Sequence, residues 1–501
     1  MRNRMLLAGS VTATAVLAFA GGACAQTQAQ VPQSRASRAP APAIARDGNP
    51  VVTMTLPDAV LIGLRKNRSI RSQYLQRIAD KFALYIAEDT FNPKSSLVAA
   101  VTRARQAGTN STVYSLGPSV SWTLPTGAFV TGGVTNVQTN VRGQRGAGLA
   151  QVTFQAIQPL LRGAGTDIAS APIRAGRLQE QVNKLRLQQG VIDTVTQIIL
   201  AYRSVIQSGE QAKIARDGLK RARDLLEVNR VLITAGRLAA VEIVQSQASI
   251  AQQELLLATA QNAYEQSKAS LLTLIAVEPS TQFATVDKLT ATPVKVDEAT
   301  ALRIALDRQP AYLTQLVSIE LSRINLEVAR NQRLWDVSIV ASGAQQGTSN
   351  SAFGSIGDLP GRRPDYSVGL QLSIPLREPT RVQGEVNASV ALRQADLQTA
   401  QLRDQISQQA RDGVRNIAIT GGQLDTARRF RELAEQQLDI EVTKLQVGRS
   451  SNFAVVSFQN LLQQAQTQEL TAVITYLNAL TTLDQVLGTT LETWGIELED
   501  R

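Results

Sequence analysis

Histidine is absent from the 501 residues, and cysteine occurs once, at Cys24. Without histidine there is no Ser-His-Asp or Cys-His constellation and no zinc-protease or zinc-finger ligand set. Neither a G-x-x-x-x-G-K-[ST] phosphate loop nor a G-x-S-x-G nucleophile elbow occurs. Aspartate and glutamate are plentiful, so a glycosidase-like carboxylate pair is not removed by counting. Most of them lie in helical stretches beside Lys, Arg and Gln, where a solvated face is the simpler reading. The chain therefore reads as a non-enzyme with no cofactor and no metal site.

Aromatic residues make up only 4% of the chain, against 33 glycines and a surplus of Ala, Gln, Leu and Val. That profile favours long helices packed through small residues over a compact enzyme core. The formal charge is +10, yet the arginines are scattered through helices rather than gathered in a patch with aromatics. A nucleic-acid partner is therefore not expected.

The N-terminus carries an address. Arg2 and Arg4 precede an apolar run from Met5 to Ala20, then "GGACAQ". Ala23-Cys24-Ala25 fits a small-x-small cleavage site, giving a secretory signal peptide over 1–25. The rival processing is lipidation at Cys24, but "GGAC" lacks the usual leucine three residues before the cysteine. Residues 26–50, rich in Ala, Pro, Arg and Gln, read as a linker.

Beyond the linker the chain is written twice. "LPDAVLIGLRKN" opens the first half (51–290), with Pro57 and Asp58 as helix-start signals; "VDEATALRIAL" opens the second (291–488), and 489–501 is a tail. Each opening is followed by a change to period two. "SVGLQLSIPL" sets Val368, Leu370, Leu372 and Ile374 against Ser367, Gly369, Gln371 and Ser373. "SVSWTLP" and "VTFQA" alternate likewise, with Trp122 and Phe154 on the apolar side. At least one hairpin per half is expected, over 95–158 and 337–376, with the Gly- and Thr-rich stretch 127–148 as strand continuation and loop. The extra length between Ser95 and Gln151 adds either a larger loop or extra strand pairing. Both hairpins exit through a proline, Pro159 or Pro375.

Long helices follow, over 166–278 and 380–487. Val191, Val195, Ile198, Tyr202 and Val205 alternate in steps of four and three, as do Phe458, Leu462, Ala465, Glu469, Ala472 and Tyr476. Val244, Ala248, Ala251, Leu255 and Ala258 form one seam of a helix whose second seam is Leu257, Ala260, Tyr264, Ser267 and Leu271. Four-three spacing is knobs-into-holes packing, and two seams on one helix imply a neighbour on each side. Both helix pairs turn at a Gly-Arg, "AGRLA" and "VGRSS". Four strands cannot close a membrane barrel, and open edges cannot sit in lipid, so spanning strands require several copies.

This order of elements resembles the TolC family of outer-membrane efflux channels, from about Leu56 to Leu487. The resemblance rests on the duplicated openings, the "QPLLRG" and "SIPL" strand exits and the twin glycine turns. It implies a mixed α and β fold: a duplicated unit forming a trimeric transmembrane β-barrel, four strands per protomer, continued by a long periplasmic barrel of coiled-coil α-helices. The location implied is the outer membrane of a Gram-negative bacterium. The function implied is a passive exit duct for tripartite efflux or type I secretion, opened by a periplasmic adaptor and an inner-membrane pump. Outer-membrane lipid and further copies of the chain complete the partners.

By the same resemblance, Gly236, Arg237 and Leu238 with Gly448, Arg449 and Ser450 are the tips on which the adaptor docks. The plainer reading of each arginine is that it neutralises the helix C-terminal dipole. The best-known members carry acidic residues six and nine positions after the second glycine; here those positions are Ala454 and Ser457. Glu242 and Arg449 are then the polar candidates for the aperture. The competing reading is a soluble periplasmic coiled-coil adaptor or scaffold with a small β domain.

Overall fold

The computed structural model describes residues 52–498 except 107, 108, 145 and 288. The signal peptide, Cys24 and the linker lie outside the described residues. The first half runs β1 (Val52–Met54), α1 (Leu56–Lys66), α2 (Arg68–Glu88), β2 (Lys94–Gln106), β3 (Thr109–Thr123), β4 (Phe129–Val141), β5 (Ala147–Pro159), α3 (Thr166–Ala169), α4 (Ala171–Thr234) and α5 (Glu242–Leu274). The second runs β6 (Phe283–Thr285), α6 (Glu298–Arg308), α7 (Pro310–Gln332), β7 (Asp336–Ser349), α8 (Ala352–Asp358), β8 (Asp365–Ser373), α9 (Pro379–Gln446) and α10 (Asn452–Leu487), with α11 (Thr490–Thr493) in the tail.

The duplicated openings fold alike because their caps are alike. Thr55 closes a capping box with Asp58, and Asn67 ends α1 while its side chain accepts from the Ser69 and Ile70 N–H groups of α2. In the second half Asp297 caps α6 by accepting from the Thr300 N–H, and Gln309-Pro310 makes the break before α7.

The sheet corrects the expected four strands. It has six, in the order β2-β3-β4-β5-β7-β8, all neighbours antiparallel. The first-half hairpin over 95–158 is two hairpins, joined at Leu124–Ala128. There Gly127 stands at φ +87, and the Leu124 N–H donates to the Ala128 carbonyl at 2.8 Å. A Cβ on Gly127 would come within 2.1 Å of the Gly163 carbonyl oxygen, so this tight turn needs glycine twice over. The extra length after Ser95 is thus extra strand pairing.

The α4 and α9 helices are 64 and 68 residues long, about 96 and 102 Å at about 1.5 Å per residue. They run through two helical layers. Near the sheet the lateral order is α2–α4–α7–α9; away from it the order is α5–α4–α10–α9. Between the layers lie two cores, one around Val191, Ile198, Tyr202 and Leu271, the other around Ala305, Ile417, Leu424 and Tyr476.

Each core holds a buried tyrosine that ties an extended segment to a long helix. The Tyr202 hydroxyl lies 2.8 Å from both the Met54 carbonyl and the Asp287 carboxylate. Burial, then Asp287, pushes its pKa well above the ordinary phenol value, so the hydroxyl keeps its proton as a donor. The Tyr476 hydroxyl donates to the Thr292 carbonyl and accepts from the Val294 N–H. Tyr202→Phe removes the donor from the buried Met54 carbonyl and is expected to cost about 1–3 kcal/mol, read as a lower thermal midpoint in detergent; Tyr476→Phe frees groups of the exposed Thr292 and Val294 and is expected to lower it less.

Candidate functional site

Cross-strand register puts most of the large apolar side chains of the sheet on one side. Leu97, Ala99 and Val101 of β2 pair with Pro118, Leu116 and Tyr114 of β3. On the same side stand Val120 and Trp122, Val130 and Val134 of β4, Val152 and Phe154 of β5, and Val368, Leu370 and Leu372 of β8. Many of these are exposed, including Leu97, Val101, Trp122, Phe154, Val368 and Leu370. The other side carries Ser96, Ser119, Ser121, Thr131, Thr153, Gln155, Ser342, Ser367 and Gln371. A sheet in water does not leave a whole apolar face open; one with lipid on that side does. Among the described residues no helix is long and apolar enough to cross a membrane. Pro159 closes β5, and Pro375 follows β8 by two residues.

At the far end of the helices the two turns share one geometry. Gly236 and Gly448 adopt φ +70 and +74. The Gly236 N–H donates to the Ile233 carbonyl and the Arg237 N–H to the Leu232 carbonyl; the Gly448 N–H donates to Leu445 and the Arg449 N–H to Lys444. Each is a Schellman cap, with glycine at the left-handed position and arginine next. Arg237 and Arg449 are exposed, and neither makes an ion pair among the described residues. Leu238 and Ser450 are half-buried.

Ser450 donates to the Glu441 carboxylate, and Lys444 Nζ lies 3.2 Å from its other oxygen. The Ser450 hydroxyl, then Lys444, holds this carboxyl below the ordinary glutamate range. A lowered carboxylate contributes stability above its unfolded pKa and loses it only as pH falls through the folded value. Amide exchange over 446–452, corrected for intrinsic rate, is therefore expected to stay level from pH 8 to pH 5. Ser450→Ala should raise that exchange several-fold.

The aperture candidates do not meet. Glu242 begins α5, and its backbone carbonyl accepts from Asn452 Nδ2; its carboxylate is not paired with Arg449. The Ala454 N–H donates to the Ser451 hydroxyl, and Ser457 donates to the Phe453 carbonyl.

What joins the two turns is a polar cluster not anticipated from sequence. Asn229 Nδ2 of α4 donates to Asn452 Oδ1 at 2.7 Å and to Ser246 Oγ at 2.8 Å, with all three residues buried. Asn229 follows Leu219, Ala222 and Leu226, so it fills a seam position meant for a hydrophobe. That substitution was the available signal, since a lone polar seam residue fixes register. Around the cluster Val241, Val244, Val447 and Phe453 are exposed, an apolar rim that the period of the helices does not announce.

The lateral ends of the protomer are unfinished. On one side stand α2, the β2 edge and α5; on the other, α9 and the β8 edge. Leu75, Ile78, Phe82 and Ile86 of α2 are exposed, as are Val382, Val386, Val390 and Leu397 of α9. On α5 the seam holding Leu271 is inside the protomer, whereas Val244 and Leu255 of the other seam are exposed.

A two-faced sheet, two long-helix hairpins and unpartnered lateral edges make up this protomer, and solved structures share its fold. The chain superposes on CusC, whose structures describe folding and transmembrane channel formation, with TM-score 0.68 and 13% identity over 86% of this chain and 91% of that one. This is the fold of the TolC-type outer-membrane channels. The channel fold recurs in VceC, an outer membrane protein of Vibrio cholerae, at TM-score 0.66 and 15% identity over 86% of this chain and 96% of that one. The Campylobacter jejuni CmeC outer membrane channel gives TM-score 0.65 and 14% identity over 87% and 86%. No sequence-family model and no curated relative matches, so the channel fold is what these proteins share with this chain. Among the described residues no cluster of His, Cys, Asp and Glu could hold a metal ion in the channel fold.

Proposed function

We propose that this protein is a passive exit duct of the outer membrane of a Gram-negative bacterium, serving tripartite efflux or type I secretion. Copies of the chain close head to tail, the α2–β2–α5 side of one against the α9–β8 side of the next. The observation that carries this is the coincidence of unfinished edges at every level: the same two sides lack a partner in the sheet and in both helical layers. A heterologous contact of this kind makes a ring where its rotation closes.

Widths agree as well. Six strands spaced about 4.8 Å and tilted about 40° span about 38 Å of arc. Four helices at about 9.5 Å spacing span about the same. Sheet and helices can therefore continue one cylinder without a step. Three copies, the number the family resemblance implies, make a barrel of eighteen strands, about 36 Å across between backbones. A barrel of this strand number leaves an aqueous bore. The polar side of the sheet lines it.

The periplasmic adaptor docks on the tips Gly236–Leu238 and Gly448–Ser450, gripping the apolar rim of Val241, Val447 and Phe453. The inner-membrane pump supplies the energy. A soluble periplasmic adaptor is disfavoured, because it gives no role to an exposed apolar sheet face. The test is the mass of the protein extracted in detergent from the outer-membrane fraction, followed by conductance in a planar bilayer. A trimer with conductance is expected; a monomer released with the soluble periplasm overturns the reading.

A further inference from the structure

We propose that the outward end of the sheet carries, on its lipid-facing side, a site for the phosphate groups of an outer-leaflet glycolipid, built from Arg103, Arg105 and Arg142. The proposal rests on the reading of the sheet as the membrane-spanning element. It commits to lipid phosphate because of where the arginines stand.

On the apolar side β2 reads Leu97, Ala99, Val101 and then Arg103 and Arg105. Arg103 pairs with Thr112 and Arg105 with Asn110. The next strand extends the row: Thr112 pairs with Asn140, and the Arg142 N–H donates to the Asn110 carbonyl at 3.2 Å. Arg105, Asn110 and Arg142 are thus adjacent across three strands. Strand spacing puts Arg105 and Arg142 about 10 Å apart, and Arg103 about 7 Å from Arg105. Those separations are spanned by one phosphorylated sugar with extended guanidinium arms.

The level is that of headgroups. Trp122 and Tyr114 mark the two ends of the apolar band on β3, eight residues apart. At about 3.4 Å per residue and about 40° of tilt, that is about 21 Å along the membrane normal. Apolar bands of outer-membrane barrels are about 25 Å tall, with aromatic girdles at both borders. Arg103 and Arg105 lie just beyond the Tyr114 border. Pointing the other way along β2, Thr102 and Ala104 face the bore, so both arginines are on the lipid side and neither serves the channel mouth.

Charge and pairing agree. Arg103, Arg105 and Arg142 are exposed, and none makes an ion pair or a side-chain hydrogen bond among the described residues. No acidic side chain shares this corner of the sheet; the nearest row members are Asn110, Thr112, Gln138 and Asn140, which donate or accept but carry no charge. Guanidinium groups bind phosphate through paired N–H donors, and an ion pair at the edge of hydrocarbon is screened less than one in water.

A second feature of the same face fits an interface. The short helix α8 lies on the outward end of the apolar side, where Asn136 Nδ2 donates to the Ala352 carbonyl and Gln345 Nε2 to the Leu359 and Arg362 carbonyls. Its outer surface presents Phe353 and Ile356, both exposed. An apolar wedge beside a basic cluster is the pairing expected where acyl chains meet charged headgroups.

The experiment is native mass spectrometry of the full-length protein, purified from the outer membrane, titrated with lipid A carrying two phosphates. Parallel titrations use dephosphorylated lipid A and inorganic phosphate, and compare Arg103→Gln/Arg105→Gln/Arg142→Gln with the parent. Retention of bisphosphorylated lipid A by the parent is expected, with at least a tenfold rise in Kd for the triple variant and weak retention of the dephosphorylated form. Equal binding by parent and variant, or equal binding with and without lipid phosphates, overturns the proposal. So does binding of inorganic phosphate as tight as that of the lipid. Fractionation of both proteins separates the causes. If the parent is not in the outer membrane, the duct reading itself fails; if both proteins assemble there and bind alike, only the lipid site fails.

Discussion

Leu97→Arg is expected to abolish assembly in the outer membrane, whereas Ser96→Arg, one residue away, assembles. Leu97 pairs with Pro118, midway between the Trp122 and Tyr114 borders, and is exposed on the apolar side. An arginine at mid-membrane on a lipid face costs about 2–4 kcal/mol, and each ring carries the substitution once per copy. Ser96 is on the polar side, where its hydroxyl meets that of Ser119 at 2.8 Å. An arginine there reaches water in the bore and loses only that exposed bond. The readout is the heat-dissociable oligomer recovered from the outer-membrane fraction. Equal recovery of both variants would mean that β2 does not face lipid, and that the barrel is built from fewer than six strands per copy. This pair of substitutions therefore also tests the extra hairpin.

That hairpin is where sequence reading stopped short, and the reason is local. β8 and the end of β3 alternate cleanly, because Val, Leu and Trp face Ser, Gln and Thr. β2 does not: Val98 and Ala100 on the bore side blur the contrast with Leu97, Ala99 and Val101. β4 is weakened differently, since Gly132 and Gly133 remove side chains from both faces at its centre. Period-two contrast is the main strand signal, so both strands read as loop or continuation. The helices were legible because their core obeys one rule: Val191, Val195, Ile198, Tyr202 and Val205 are all fully buried. The twin caps were legible because the left-handed position asks for glycine. Neither Glu242 nor Arg449 finds the other, and the buried Asn229–Asn452–Ser246 cluster joins α4, α5 and α10, a contact between distant segments that spacing along one helix does not reveal. Exposed seams such as Val244 and Leu255 were legible as seams, but their partner lies outside the single chain.

Those unpartnered seams set the other large expectation: Ile78→Glu/Phe82→Glu should convert the detergent-extracted protein from oligomer to monomer. Both residues are exposed on α2, on the stripe with Leu75 and Ile86. Counted from the sheet, Phe82 and Val386 sit at similar depth, because α2 ends at Glu88 and α9 begins at Pro379. The ring contact thus sets α2 of one copy against Val382, Val386 and Val390 of the next. Burying a side chain of this size contributes about 1.5–3 kcal/mol, so two of them over three interfaces amount to about 10 kcal/mol or more per ring. Glutamate forfeits that and adds the desolvation of a charge facing valines. The fold of the single copy should survive, because α2 holds to α4 on another face, through the Arg77–Glu180 ion pair. Circular dichroism should accordingly show unchanged helix content. Gln76→Lys is the control: Gln76 lies off that stripe, on the flank toward α4, and already bonds Asp80, so a lysine there forms an i,i+4 pair and leaves the ring intact. An oligomer that withstands the double substitution would remove α2 from the contact, and with it the head-to-tail ring that places β2 against β8.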